Sequence, residues 1–71
     1  MQLKDALLSA GYLVVDLYDR LSYKVAIDYK TTTKYCRCCN RKTLDPVIWE
    51  KIDECLAEMG VEWKEYNGYM G

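Results

Sequence analysis

The sequence predicts a small α+β domain in the order α-β-β-β-α-β, an antiparallel sheet of three to four strands with two helices on one face. Three observations carry that expectation. Two stretches, near residues 2–10 and 45–59, space their apolar residues as helices do and are bounded by capping residues. Residues 12–29 change to an alternation of period two. Residues 31–36 are rich in the threonine and tyrosine that favour strands.

The first helix, over residues 2–10, places Leu3, Leu7 and Ala10 on one face with Ala6 and Leu8 beside them, and Gly11 supplies a left-handed stop. A hairpin follows. Leu13, Val15 and Leu17 share one strand face, and Leu21, Tyr23, Val25, Ile27 and Tyr29 share the next. A three-residue loop over Asp19, Arg20 and Leu21 sets Leu17 opposite Tyr23, Val15 opposite Val25, Leu13 opposite Ile27 and, on the other face, Asp16 opposite Lys24. This register puts Tyr23 and Tyr29 in the core and leaves Tyr12 and Tyr18, with Val14 and Ala26, on the open face. Residues 31–36 form the third strand and end in an irregular segment over 37–42.

The second helix has the fullest set of signals. Asp45 is its cap, Pro46 its first residue, and Leu44 can staple onto Trp49. Ile48, Ile52, Cys55, Leu56 and Met59 form the buried stripe, Gly60 ends it, and Val61 folds back on Leu56. Val61 and Trp63 alternate with Glu62 and Lys64 as a last short strand, and Asn67-Gly68 marks a turn.

Seventy-one residues hold one domain, residues 1–71, with 66–71 as a loose C-terminal end and a core near the lower limit for independent folding, so a homodimer is compatible with its size. A hydrophobic share of 51 % argues for a folded chain. No apolar run reaches the length of a membrane span, and the first residues lack the pattern of a signal peptide. Cys38 and Cys39 are adjacent, with alpha carbons about 3.8 Å apart, below the roughly 4.4 Å minimum of an unstrained disulfide. Reduced thiols and a cytoplasmic location are therefore the expectation.

The charges are strongly segregated. Residues 30–42 carry five cations (Lys30, Lys34, Arg37, Arg41, Lys42) and no acid, whereas residues 45–65 carry seven acids against two lysines. A +5 stretch thus adjoins a −5 stretch inside a chain of net charge −1. The acids Glu50, Asp53, Glu54 and Glu58 fall mostly opposite the apolar stripe of the second helix, as a solvated face would, and also form a row that can meet a basic groove. Tyr12 and Tyr18 add rigid amphipathic area of the kind interfaces use.

Two further chemistries arise from the basic stretch. Lys34, Arg37, Arg41 and Lys42 offer phosphate contacts, and Tyr35 offers a ring for base stacking. An acidic pI of about 5.3 and the neighbouring carboxylates oppose that use. Cys36, Cys38, Cys39 and Cys55 could supply four thiolates to a structural zinc, with Cys36 and Cys39 at knuckle spacing. No second spaced pair and no histidine strengthens the pattern, and Cys55 lies on the apolar stripe. The lack of histidine also argues against acid–base catalysis near neutral pH.

The expected function is a non-enzymatic binding module that covers a functional surface of a larger protein, including one that itself binds nucleic acid, through the acidic helix and the open tyrosines. The alternative is direct RNA or DNA binding by residues 34–42. In size and in lack of catalytic groups the chain resembles the small inhibitors of phages and mobile elements, anti-CRISPR proteins among them, a likeness of type that assigns no residue. The α-β-β-β-α order is also that of the double-stranded-RNA-binding fold, but the second helix opens Asp-Pro-Val-Ile-Trp-Glu, without that family's basic helix start.

Overall fold

The computed structural model describes residues 2–38 and 44–63. They form four helices, α1 (Leu3–Ser9), α2 (Val14–Leu21), α3 (Tyr29–Arg37) and α4 (Pro46–Met59), and no strand occurs among the described residues. The described part of the domain has helices as its only regular elements, and the expected α+β sheet is overturned. The Asn67-Gly68 turn, the loose end over 66–71 and most of the irregular segment over 37–42 lie outside the described residues.

The two ends of the fold lie where the sequence places them. Helix α1 ends on Gly11 at φ 89°, with Gly11 N–H donating to Leu8 O at 3.0 Å and Tyr12 N–H to Leu7 O at 2.8 Å. Helix α4 starts on Asp45, whose Oδ1 accepts from Val47 N–H at 2.9 Å. It ends on Gly60 at φ 73°, with Gly60 N–H donating to Ala57 O and Val61 N–H to Leu56 O at 2.9 Å. Both ends are Schellman caps, which need a residue in the left-handed region. Ile52, Cys55, Leu56 and Met59 are buried as expected, Ile48 is half-buried, and Trp49 joins them. Val61 and Trp63 form no strand; Val61 is buried and Trp63 stacks on Trp49, with ring centres 5.6 Å apart.

The middle of the chain is where period two loses to period 3.6. Residues 13–15 are all apolar, so both patterns fit them. The helical one wins because Val14, Leu17, Tyr18, Leu21 and Val25 then form a single stripe, of which Leu17 and Leu21 are fully buried. Local polar groups agree. Asp16, at the third helical position, accepts from Leu13 N–H at 2.7 Å, the return half of a capping box. The Asp16 and Lys24 strand pairing is thereby lost, and Leu13 and Tyr23, expected in the core, are 57 % and 90 % exposed.

Residues 31–36 become helix for similar reasons. Asp28 caps α3 by accepting from Thr31 N–H at 2.7 Å. The threonine hydroxyls turn back onto the helix, Thr32 Oγ1 donating to Asp28 O and Thr33 Oγ1 to Tyr29 O, each at 3.0 Å. The first of these bonds satisfies the fully buried Thr32 hydroxyl, so the core side of the helix holds threonine without an unpaired polar group.

Helix α2 packs on α3 and α4, and α1 packs on α3. One core results, with Leu3, Leu7, Leu17, Leu21, Cys36, Ile52 and Cys55 fully buried. At its α3–α4 side Tyr35 meets Trp49 edge to face at 5.0 Å, and its hydroxyl accepts from Asp45 N–H at 3.2 Å.

Candidate nucleic-acid interface

The site begins with the connection from α2 to α3. Ser22 N–H donates to Tyr18 O at 2.9 Å, and Lys24 and Val25 N–H donate to Leu21 O at 2.9 and 3.1 Å. The coil of α2 is thus prolonged to Val25, and only Ala26 and Ile27 separate that last turn from the Asp28 cap. Half-buried Ile27 pins this short bridge to the core.

Helix α3 then presents two faces. Thr32, Tyr35 and Cys36 point into the core. Lys30, Lys34 and Arg37 are exposed and Thr33 is half-buried between them, at the i, i+3, i+4, i+7 spacing of one helical side. Tyr29 stands at the start of this side, about half exposed, its ring held edge-on by Tyr18 at 5.6 Å. A shallow groove runs along it, with Tyr29, Thr33, Cys38 and Leu44 as well as the three cations on its lining. Among the described residues none of these three cations forms a salt bridge.

The acidic helix is arranged differently. Glu58 receives Lys24 at 2.8 Å and Arg20 at 3.7 Å, while Glu54 receives Lys24 at 3.5 Å and Lys51 at 3.4 Å. The hydrogen bond from Lys24 holds the Glu58 carboxyl below its ordinary value, and the same bond raises Lys24. Glu54 and Glu58, both expected contact carboxylates, are therefore engaged within the molecule. Glu50 and Asp53 are exposed on the same helix. Tyr12 and Tyr18 are half-buried instead of lying on an open sheet face; the Tyr12 hydroxyl donates to Met59 O at 3.2 Å.

For the basic stretch, Lys34 and Arg37 are displayed together, whereas Tyr35 is only 4 % exposed and is a core residue. Arg41, Lys42 and Cys39 lie outside the described residues. Tyr29, Lys30 and Thr33 are the members of the face that the strand reading hid; the signal for them was Asp28, a residue type that caps a helix start. The three described cysteines do not form a displayed cluster. Cys36 and Cys55 are buried, Cys38 is half-buried, and burial pushes the Cys36 thiol up to about 12. No group of three or more Cys, Asp or Glu among the described residues is placed to hold a metal ion.

Among the described residues no helix is long and apolar enough to cross a membrane. Comparison with protein-family models, with curated proteins and with solved structures finds no match.

Proposed function

We propose that the chain is a duplex-DNA-binding module in which α2, the short bridge and α3 act as a helix-turn-helix unit, with α3 as the reading helix. The observation that carries this reading is the exposed, one-sided display of Lys30, Lys34 and Arg37, none of them in a salt bridge among the described residues, with Tyr29 and Thr33, on a helix that packs on α1 and α2. Residues 22–28 join the two helices, the first four in hydrogen-bonded turns that follow on from α2, so the irregular part is 26–28, close to the short turn of units that lay their second helix in the major groove. The spacing agrees: a helix with its side chains is about 10–12 Å across and that groove about 12 Å wide. B-form DNA is favoured over duplex RNA because the deep, narrow major groove of RNA does not admit such a helix.

In this reading the lysines neutralise phosphates, Arg37 reaches a phosphate or the edge of guanine, and Thr33 and Tyr29 offer hydroxyl and ring contacts to bases. The protein-binding alternative requires Glu54 and Glu58 to exchange their intramolecular partners for ones on another protein, a cost that the α3 face does not carry.

The test is fluorescence anisotropy with a labelled random-sequence duplex pool, followed by selection for an enriched sequence. Binding should weaken as salt rises, and Lys34→Ala with Arg37→Ala should reduce it by at least about tenfold. No anisotropy change at low salt, or full binding by the double variant, would remove the reading.

A further inference from the structure

We propose that Lys24 and Glu58 form an ionic strut that sets the angle of α3 against α4, making both of them positioning residues for the α3 face; its functional half rests on the DNA-binding reading. Lys24 occupies the last coiled turn before the bridge, four residues ahead of the Asp28 cap, so whatever fixes its side chain fixes the point from which α3 departs. Its ammonium lies 2.8 Å from Glu58 Oε2 and 3.5 Å from Glu54 Oε1, both on α4. Arg20 of α2 adds a third arm, 3.7 Å from the other Glu58 oxygen, and Lys51 backs Glu54 at 3.4 Å.

Isolated surface pairs contribute little, but a connected set of charges on a partly covered side chain is the case in which geometry is held. Lys24 has only 23 % of its side chain exposed, and its two acceptors restrict the rotation that one would leave free. Helix α3 packs on α1 and α2 and touches α4 near its C-terminal end through Tyr35 against Trp49, and this strut is an ionic tie to the same longest helix at the base of α3.

The experiment uses the intact chain and three variants, Lys24→Met, Lys24→Arg and, as a second route, Glu58→Gln. Residual dipolar couplings report the angle between α3 and α4. Competition between the selected duplex and its scrambled sequence reports discrimination. Lys24→Met and Glu58→Gln should keep helix content, alter the α3 couplings relative to α4, and lower discrimination by about three- to tenfold, with affinity for the scrambled duplex unchanged. Lys24→Arg, which keeps charge and reach, should restore both readouts. Unaltered α3 couplings in the variants that fold, or equal losses on both duplexes, would overturn the strut. If the wild-type protein binds no duplex, the DNA reading falls by itself, and the couplings alone decide whether the strut sets the angle.

Discussion

Cys36 and Tyr35 are neighbours in the chain whose side chains both look reactive or recognitive on paper and are neither in the fold. Tyr35 follows Lys34 and precedes Arg37, which reads as a ring set among cations, yet at 3.6 residues per turn it shares the inward side with Thr32 and Cys36. Cys36 has no exposure, and burial raises its thiol to about 12, so almost none of it is thiolate at neutral pH. Alkylation of the native protein with iodoacetamide at mildly alkaline pH, mapped by peptide mass spectrometry, should therefore modify Cys38 well before Cys36 or Cys55. Equal labelling of Cys36 and Cys38 in protein that is still folded would contradict this burial. The positions legible from residue chemistry alone were the caps and stops, Gly11, Asp45 and Gly60. Each is fixed by backbone geometry that neighbours cannot override.

At the scale of elements, α1 and α4 were readable because each has one dominant period and terminal punctuation. Helices α2 and α3 were not, since strand-favouring residues such as Val15 and Thr33 fill positions that face outward or bond back onto the helix, where propensity is cheaply overruled by packing. Two substitutions test the ends. Gly60→Ala forces an L side chain into the left-handed region and should lower stability by about 1–2 kcal/mol in urea unfolding, with nothing nearby to clash. Asp28→Ala removes the α3 cap and should lower the melting temperature by several degrees. The pH dependence of that second loss has a definite sign. Hydrogen bonds from Thr31, first from its side chain and then from its backbone, hold Asp28 below its ordinary value of 3.8. Its contribution is thus present above 3.8 and lost as pH falls through the lower folded value, and the gap between wild type and Asp28→Ala should close on acidification. A gap that persists at pH well below 3.8 would show that the cap carboxylate is not the cause.

The whole molecule shows why net charge is a poor guide to what it touches. An acidic chain of charge −1 keeps its α4 carboxylates Glu54 and Glu58 in contact with Arg20, Lys24 and Lys51, which leaves the cations of α3 facing outward. Charge segregation was visible in the sequence. Which pole is consumed internally was not, because that depends on Arg20 and Lys24 reaching α4 across thirty or more residues, as the helical middle allows. If Lys30, Lys34 and Arg37 are the phosphate contacts, the logarithm of the binding constant should fall with the logarithm of salt with a slope of about −2.7, and loss of Lys34 should reduce its size by about one. A slope near zero would mean that binding does not use this face.

The stacked rings of Trp49 and Trp63 carry a practical consequence. They are the chain's entire indole complement, held at 5.6 Å and 26° on the side where residues 61–63 lie over α4. Excitation of one is shared with the other, so the intrinsic emission and near-ultraviolet dichroism of this protein form an exciton signature of that single spot. Peeling of the short closing segment would register there as a loss of coupling, before any helix unwinds.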